Sequence, residues 1–83
     1  MNLSKGELVK VAAGKYRGLL MAVVDTDSTS VYVADGRHRK LQNTKKLNPK
    51  HIERLGTMLE KEVSEYTNNS LWKELRQNVR LDD

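Results

Sequence analysis

Val9-Lys10-Val11-Ala12-Ala13-Gly14-Lys15-Tyr16-Arg17-Gly18-Leu19-Leu20-Met21-Ala22-Val23-Val24 sets two strand signals on either side of one loop. Glu7 to Val11 alternates, with Val9 and Val11 on one side, which is the period of a half-buried strand. Gly14 and Gly18 then give backbone freedom at both ends of Lys15-Tyr16-Arg17. Leu19 to Asp25 is apolar until its last residue and predicts a strand covered on both faces. Leu20, Ala22 and Val24 are expected to face the core. Leu19, Met21 and Val23 are then left on the outer face, in need of cover.

Working outward, Asp27-Ser28-Thr29 is turn chemistry. Ser30 to Ala34 is β-branched and aromatic and predicts a third strand, and Asp35-Gly36 is a hairpin signal. His38 to Gln42 follows as a short basic fourth strand. Asn43 to Pro49 is expected to be irregular, because proline cannot donate a ladder hydrogen bond. His51 to Leu55 is a possible fifth strand, ended by Gly56. Four or five short strands in about 55 residues predict a mainly β fold, a small barrel that closes to avoid free edges.

After Gly56 the character changes. Residues 58–65 suggest turn-like or helical structure, and Thr67-Asn68-Asn69-Ser70 is rich in capping residues. Leu71, Leu75 and Val79 recur every fourth position, with Trp72 three before Leu75. This predicts an amphipathic helix of about three turns, too short to stand alone. Trp72 and Leu75 are expected to cover part of the outer face of the second strand. The expected organisation is a barrel over residues 1–56 and a helical extension over 57–83, in one compact unit.

The chain of 83 residues carries a net charge of +4 and no cysteine. Its core of Val and Leu is modest, which argues against a buried substrate pocket and a small-molecule substrate. Without cysteine there are no disulfides or thiolate metal sites, and His38 and His51 lack neighbours at metal-ligand spacing. No apolar run approaches the length of a membrane span and Met1 to Lys5 has no signal-peptide character, so the cytoplasm is the expected location. Residues 1–56 hold eleven Lys/Arg against five Asp/Glu, and residues 57–83 hold four against six. A polyanion is therefore expected to meet the first two-thirds of the chain.

Lys15, Tyr16 and Arg17 in a glycine-framed loop suit a sugar-phosphate chain, since the glycines permit close approach, the cations neutralise charge and Tyr16 can stack on an unpaired base. A plain hairpin with solvated cations fits the same spacing. Arg37-His38-Arg39-Lys40, with Lys45-Lys46 and Lys50-His51, is the second basic group. An edge strand charged against aggregation explains part of it, but phosphate binding accounts for more of its cations. His51 reads first as a structural hydrogen-bonding residue, able also to meet a phosphate or a 2′-OH. Asp25 and Asp27 read as turn formers, and Ser28, Thr29 and Ser30 have no histidine placed to activate them, so no enzyme is expected.

Val9, Val11, Gly14, Tyr16, Arg17, Gly18 and Leu20 to Val24 resemble the KOW motif of ribosomal proteins and transcription-elongation factors. The likeness continues through Val31 to Lys40 and Lys45-Lys46 to Lys50-His51. Met21 stands where the general motif has a third glycine, as suits the fourteen-e branch of large-subunit ribosomal proteins. That branch and its short bacterial KOW-domain relatives are what nearly the whole chain resembles. The resemblance implies an SH3-like barrel that binds RNA, ribosomal RNA above all, without catalysis or cofactor, with ribosomal proteins as further neighbours. The expected contact set is Lys15, Tyr16, Arg17, Arg37, Arg39, Lys40, Lys45, Lys46, Lys50 and His51. The competing expectation is a protein-interaction module that uses the barrel or the helix. Which RNA is bound, and in what oligomeric state, stays open.

Overall fold

The computed structural model describes residues 3–79. The outer limits of the two expected segments, residues 1 and 83, lie outside them. Five antiparallel strands form one open sheet: β1 (Glu7–Val11), β2 (Leu20–Thr26), β3 (Val31–Ala34), β4 (Lys45–Leu47) and β5 (Ile52–Met58), in the order β4-β3-β2-β1-β5. The edge strands β4 and β5 are consecutive in the chain and are linked by a 3-10 turn at Pro49–His51. A second 3-10 turn at Val63–Glu65 leads to one helix, α1 (Asn68–Asn78). The fold is thus mainly β, with a C-terminal helix, and is consistent with a small barrel. No helix among the described residues is long and apolar enough to cross a membrane.

Register decides which side chains share a face. Val9 pairs with Met21, Val23 with Val33 and Val31 with Leu47, and these residues pack with Val11 into one core. Leu8 pairs with Ala22 and Ala22 with Ala34, a row that builds a second core with Leu59, Tyr66, Leu71 and Leu75. The expected faces of β2 are therefore exchanged. Met21 and Val23 lie in the all-strand core, whereas Leu20, Ala22 and Val24 lie under the helix. Ala22 and Ala34 are small, so a helix can come close over them, and an apolar run with no polar interruption carries no mark of which face that is.

The helix is held as its sequence suggests. Thr67 Oγ1 accepts from the Ser70 N–H, and Ser70 Oγ accepts from the Thr67 N–H. Leu71 and Leu75, each 1% exposed, are the side chains that cover the sheet, and burying each contributes about 1.5–3 kcal/mol. Val79, the next residue of the stripe, is 48% exposed. Trp72 is not the cover expected of it. It stays half-buried beside Arg37 and Arg76.

Two strands differ from expectation. His38 to Gln42 is loop, and β4 lies in the stretch expected to be irregular. The buried Asp35 carboxylate explains the first, because it accepts from the N–H groups of Arg37 and Arg39, both at 2.9 Å, and lies 2.7 Å from His38 Nδ1. Those backbone donors are taken before a ladder can form. Asp35-Gly36 accordingly opens a long connection to β4, not a two-residue hairpin. β5 also continues past Gly56 to Met58, with a register shift against β1 between Glu7 and Val9. Gly56, at φ 73°, bends the strand within that irregularity and does not end it. Arg54 of β5 pairs with the buried Glu7 of β1, with Nη2 donating to Oε1 at 2.9 Å, so this cation serves the fold.

Gly36 (φ 85°) lies against the start of the helix, where a Cβ would stand 2.1 Å from the Asn68 carbonyl oxygen. Close approach lets the Leu41 N–H donate to Asn68 Oδ1 and Asn68 Nδ2 donate to Gln42 Oε1, both at 2.8 Å.

Candidate nucleic-acid interface

The loop between β1 and β2 is shaped by its own backbone. The Gly18 N–H donates to the Val11 carbonyl at 2.7 Å, Arg17 to Gly14 at 3.2 Å and Leu19 to Tyr16 at 3.0 Å. The loop is tied to the turn before β5 by the Ala12 N–H, which donates to the His51 carbonyl at 2.7 Å. This brings three segments distant in sequence to one place. Between them lies a groove of about 370 Å³, walled by Lys15 and Tyr16 of the loop, Lys45 and Lys46 of β4, and Asn48 and His51 around the turn. Tyr16 packs against the all-strand core and is half-buried. Lys15 Nζ lies 5.6 Å from its ring centre. Lys50 is exposed on the same turn, where its N–H donates to Asn48 Oδ1 at 2.9 Å.

Among the described residues, none of Lys15, Lys45, Lys46 and Lys50 is in an ion pair. Three lysines without acidic partners in the walls of a groove that also holds an aromatic ring, with a fourth on the adjoining turn, make a site for an anion carrying a flat apolar group. The described residues hold no group of three His, Asp or Glu side chains that could bind a metal ion.

No family model and no curated protein matches the chain.

The other expected contacts lie elsewhere. Arg17 is beside Lys10 and Glu53, away from the groove. Arg39 is engaged with its own chain, since Nε donates to the Asn43 carbonyl at 2.7 Å and Nη2 to the Thr44 carbonyl at 3.3 Å. It braces the approach to β4. Lys40 is exposed in the same loop. Arg37 leaves this group altogether, with its guanidinium carbon 5.3 Å from the centre of the Trp72 ring. The ten residues therefore divide: Lys15, Tyr16, Lys45, Lys46 and His51 wall one groove, Lys50 is exposed on the turn beside it, and Arg17, Arg37, Arg39 and Lys40 do not join them.

Residues outside that set shape the surroundings. Asp27 accepts from the Tyr32 hydroxyl at 2.7 Å and from the N–H groups of Thr29 and Ser30. These bonds, the one from Tyr32 foremost, lower its pKa to about 2. Asp27 thus holds its turn, as expected of it. Asp25 lies 3.7 Å from Lys5. Arg76 did not figure among the sequence candidates, although its guanidinium carbon is 5.6 Å from the Trp72 ring centre. The spacing of Trp72 and Arg76, one helical turn apart, was the available signal.

Proposed function

We propose that this chain is a non-enzymatic RNA-binding protein that takes an RNA strand along the groove between Tyr16 and β4. The observation that carries the proposal is one groove walled by Lys15, Lys45 and Lys46, free of acidic partners, together with the half-buried Tyr16, with Lys50 exposed on the adjoining turn. The lysines neutralise the backbone and Tyr16 offers a stacking face, which is worth about 1–3 kcal/mol per base. The KOW resemblance supports the same reading, because its Gly14 and Tyr16 positions lie on the loop side of the groove. It also suggests structured RNA, ribosomal RNA in particular, as the cytoplasmic partner and translation as the setting.

The test is an NMR titration of the full chain with a single-stranded hexaribonucleotide. Amide shifts are expected at Gly14 to Tyr16, Lys45, Lys46 and Lys50-His51. Shifts confined to other surfaces, or none at millimolar RNA, would overturn the proposal.

A further inference from the structure

A second cavity, of about 460 Å³, opens on the helix side of the same β1–β2 loop. Leu19, Leu20, Leu75 and Val79 give it apolar walls, and Trp72 and Arg76 complete its rim. Two guanidiniums converge on the indole, with Arg37 at 5.3 Å and Arg76 at 5.6 Å from its centre. His38 meets it edge-on at 5.7 Å. Among the described residues neither arginine has an acidic partner. Asp35 also borders the cavity, but its carboxylate is committed to two backbone N–H groups and to His38.

We propose that this cavity is a second nucleotide site, in which an unpaired base lies against Trp72 and the apolar walls while Arg37 and Arg76 hold its phosphate. It rests on the reading of the partner as an RNA strand and adds a position that the Tyr16 groove does not supply. The chemistry selects the occupant. Two unpaired guanidiniums call for an anion, and an apolar slot with an indole calls for a flat ring. An acidic side chain supplies only the first, and an apolar side chain only the second.

Continuity supplies a further argument. Gly14, Lys15 and Tyr16 wall the first groove, and Gly18 and Leu19 wall this cavity. The two sites are thus walled by neighbouring stretches of one loop, at most about 15–20 Å apart along the chain. One strand of a few nucleotides can reach both.

Trp72 is the only tryptophan, so its emission reports from this cavity and not from the groove. Hexaadenylate, 5′-AMP and inorganic phosphate are each titrated into the full chain while emission is followed, with amide shifts at Gly14 to Tyr16 reporting the groove. Hexaadenylate is expected to change the emission saturably, and 5′-AMP to do so more strongly than phosphate. The double variant R37Q/R76Q, checked for its fold by circular dichroism, should bind hexaadenylate about tenfold more weakly. It should lose the emission change and keep the groove shifts. K45Q/K46Q should weaken hexaadenylate binding yet leave the response to 5′-AMP.

Groove shifts without any emission change, or unaltered affinity in R37Q/R76Q, would refute the second site and leave the groove standing. A response to phosphate equal to that of 5′-AMP would refute the base slot. An emission change with silent groove amides would remove the groove instead, and silence in both readouts would remove both.

Discussion

Replacing Gly36 with alanine sets two costs at one position. At φ 85° an L side chain is strained, and the added Cβ would stand 2.1 Å from the Asn68 carbonyl oxygen and 2.9 Å from its carbon. These are backbone atoms, so no side chain can swing aside. The start of α1 must lift by more than an ångström, or the 35–41 loop must distort. Either movement strains the Leu41–Asn68 and Asn68–Gln42 hydrogen bonds. Strained backbone costs about 1–3 kcal/mol, and each weakened hydrogen bond about 0.5–1.5 kcal/mol. A total of about 2–6 kcal/mol is expected, a large part of the stability of so small a domain. Gly14→Ala is the matched control: its φ is 84° and nothing lies within 4 Å of the added atom. It should show the conformational cost alone, about 1–2 kcal/mol. Urea unfolding followed by circular dichroism measures both, and Trp72 emission reports whether the helix stays docked. Equal losses in the two variants, or a Gly36→Ala protein within 1 kcal/mol of the parent, would refute the claim that loop and helix are pinned through backbone contact.

Two further expectations concern titration. Tyr32→Phe removes the strongest bond to the Asp27 carboxylate and should raise its pKa from about 2 toward the usual 3.8; a value still near 2 by NMR would show that the turn N–H groups suffice. Burial, followed by donation to Glu74, raises the Tyr66 hydroxyl to about 12. The unfolded chain ionises near 10 while the folded chain does not, so this part of the stability is complete below pH 10 and is lost between 10 and 12. Tyr66→Phe should flatten the decline in that window, and an unchanged slope in unfolding free energy would contradict the assignment.

The strands around the first loop could be read in the sequence because alternation in β1 and the apolar run of β2 are local signals. Their register could not. It depends on pairing between strands, and a uniform run such as Leu20 to Val24 fits either face. β4 escaped notice for a related reason. Lys45-Lys46 has weak strand propensity of its own and becomes a strand by pairing with Val33 and Tyr32, while Leu47 fills the core opposite Val31. Asp35-Gly36 misled because a buried carboxylate turned an expected hairpin into a longer loop. The site follows the same division. Lys15, Lys45, Lys46 and Lys50 were visible as charges, but their convergence required β4 and the turn to stand beside the first loop. The approach of Arg37 to Trp72 is a tertiary contact with no local trace.

Salt dependence probes the phosphate groove at its root. If Lys15, Lys45, Lys46 and Lys50 each neutralise a phosphate of single-stranded RNA, the slope of log affinity against log salt should be about −3. Removing two of the four in K45Q/K46Q should halve it, to about −1.5. A slope near zero, or the same slope for both proteins, would contradict binding through this groove.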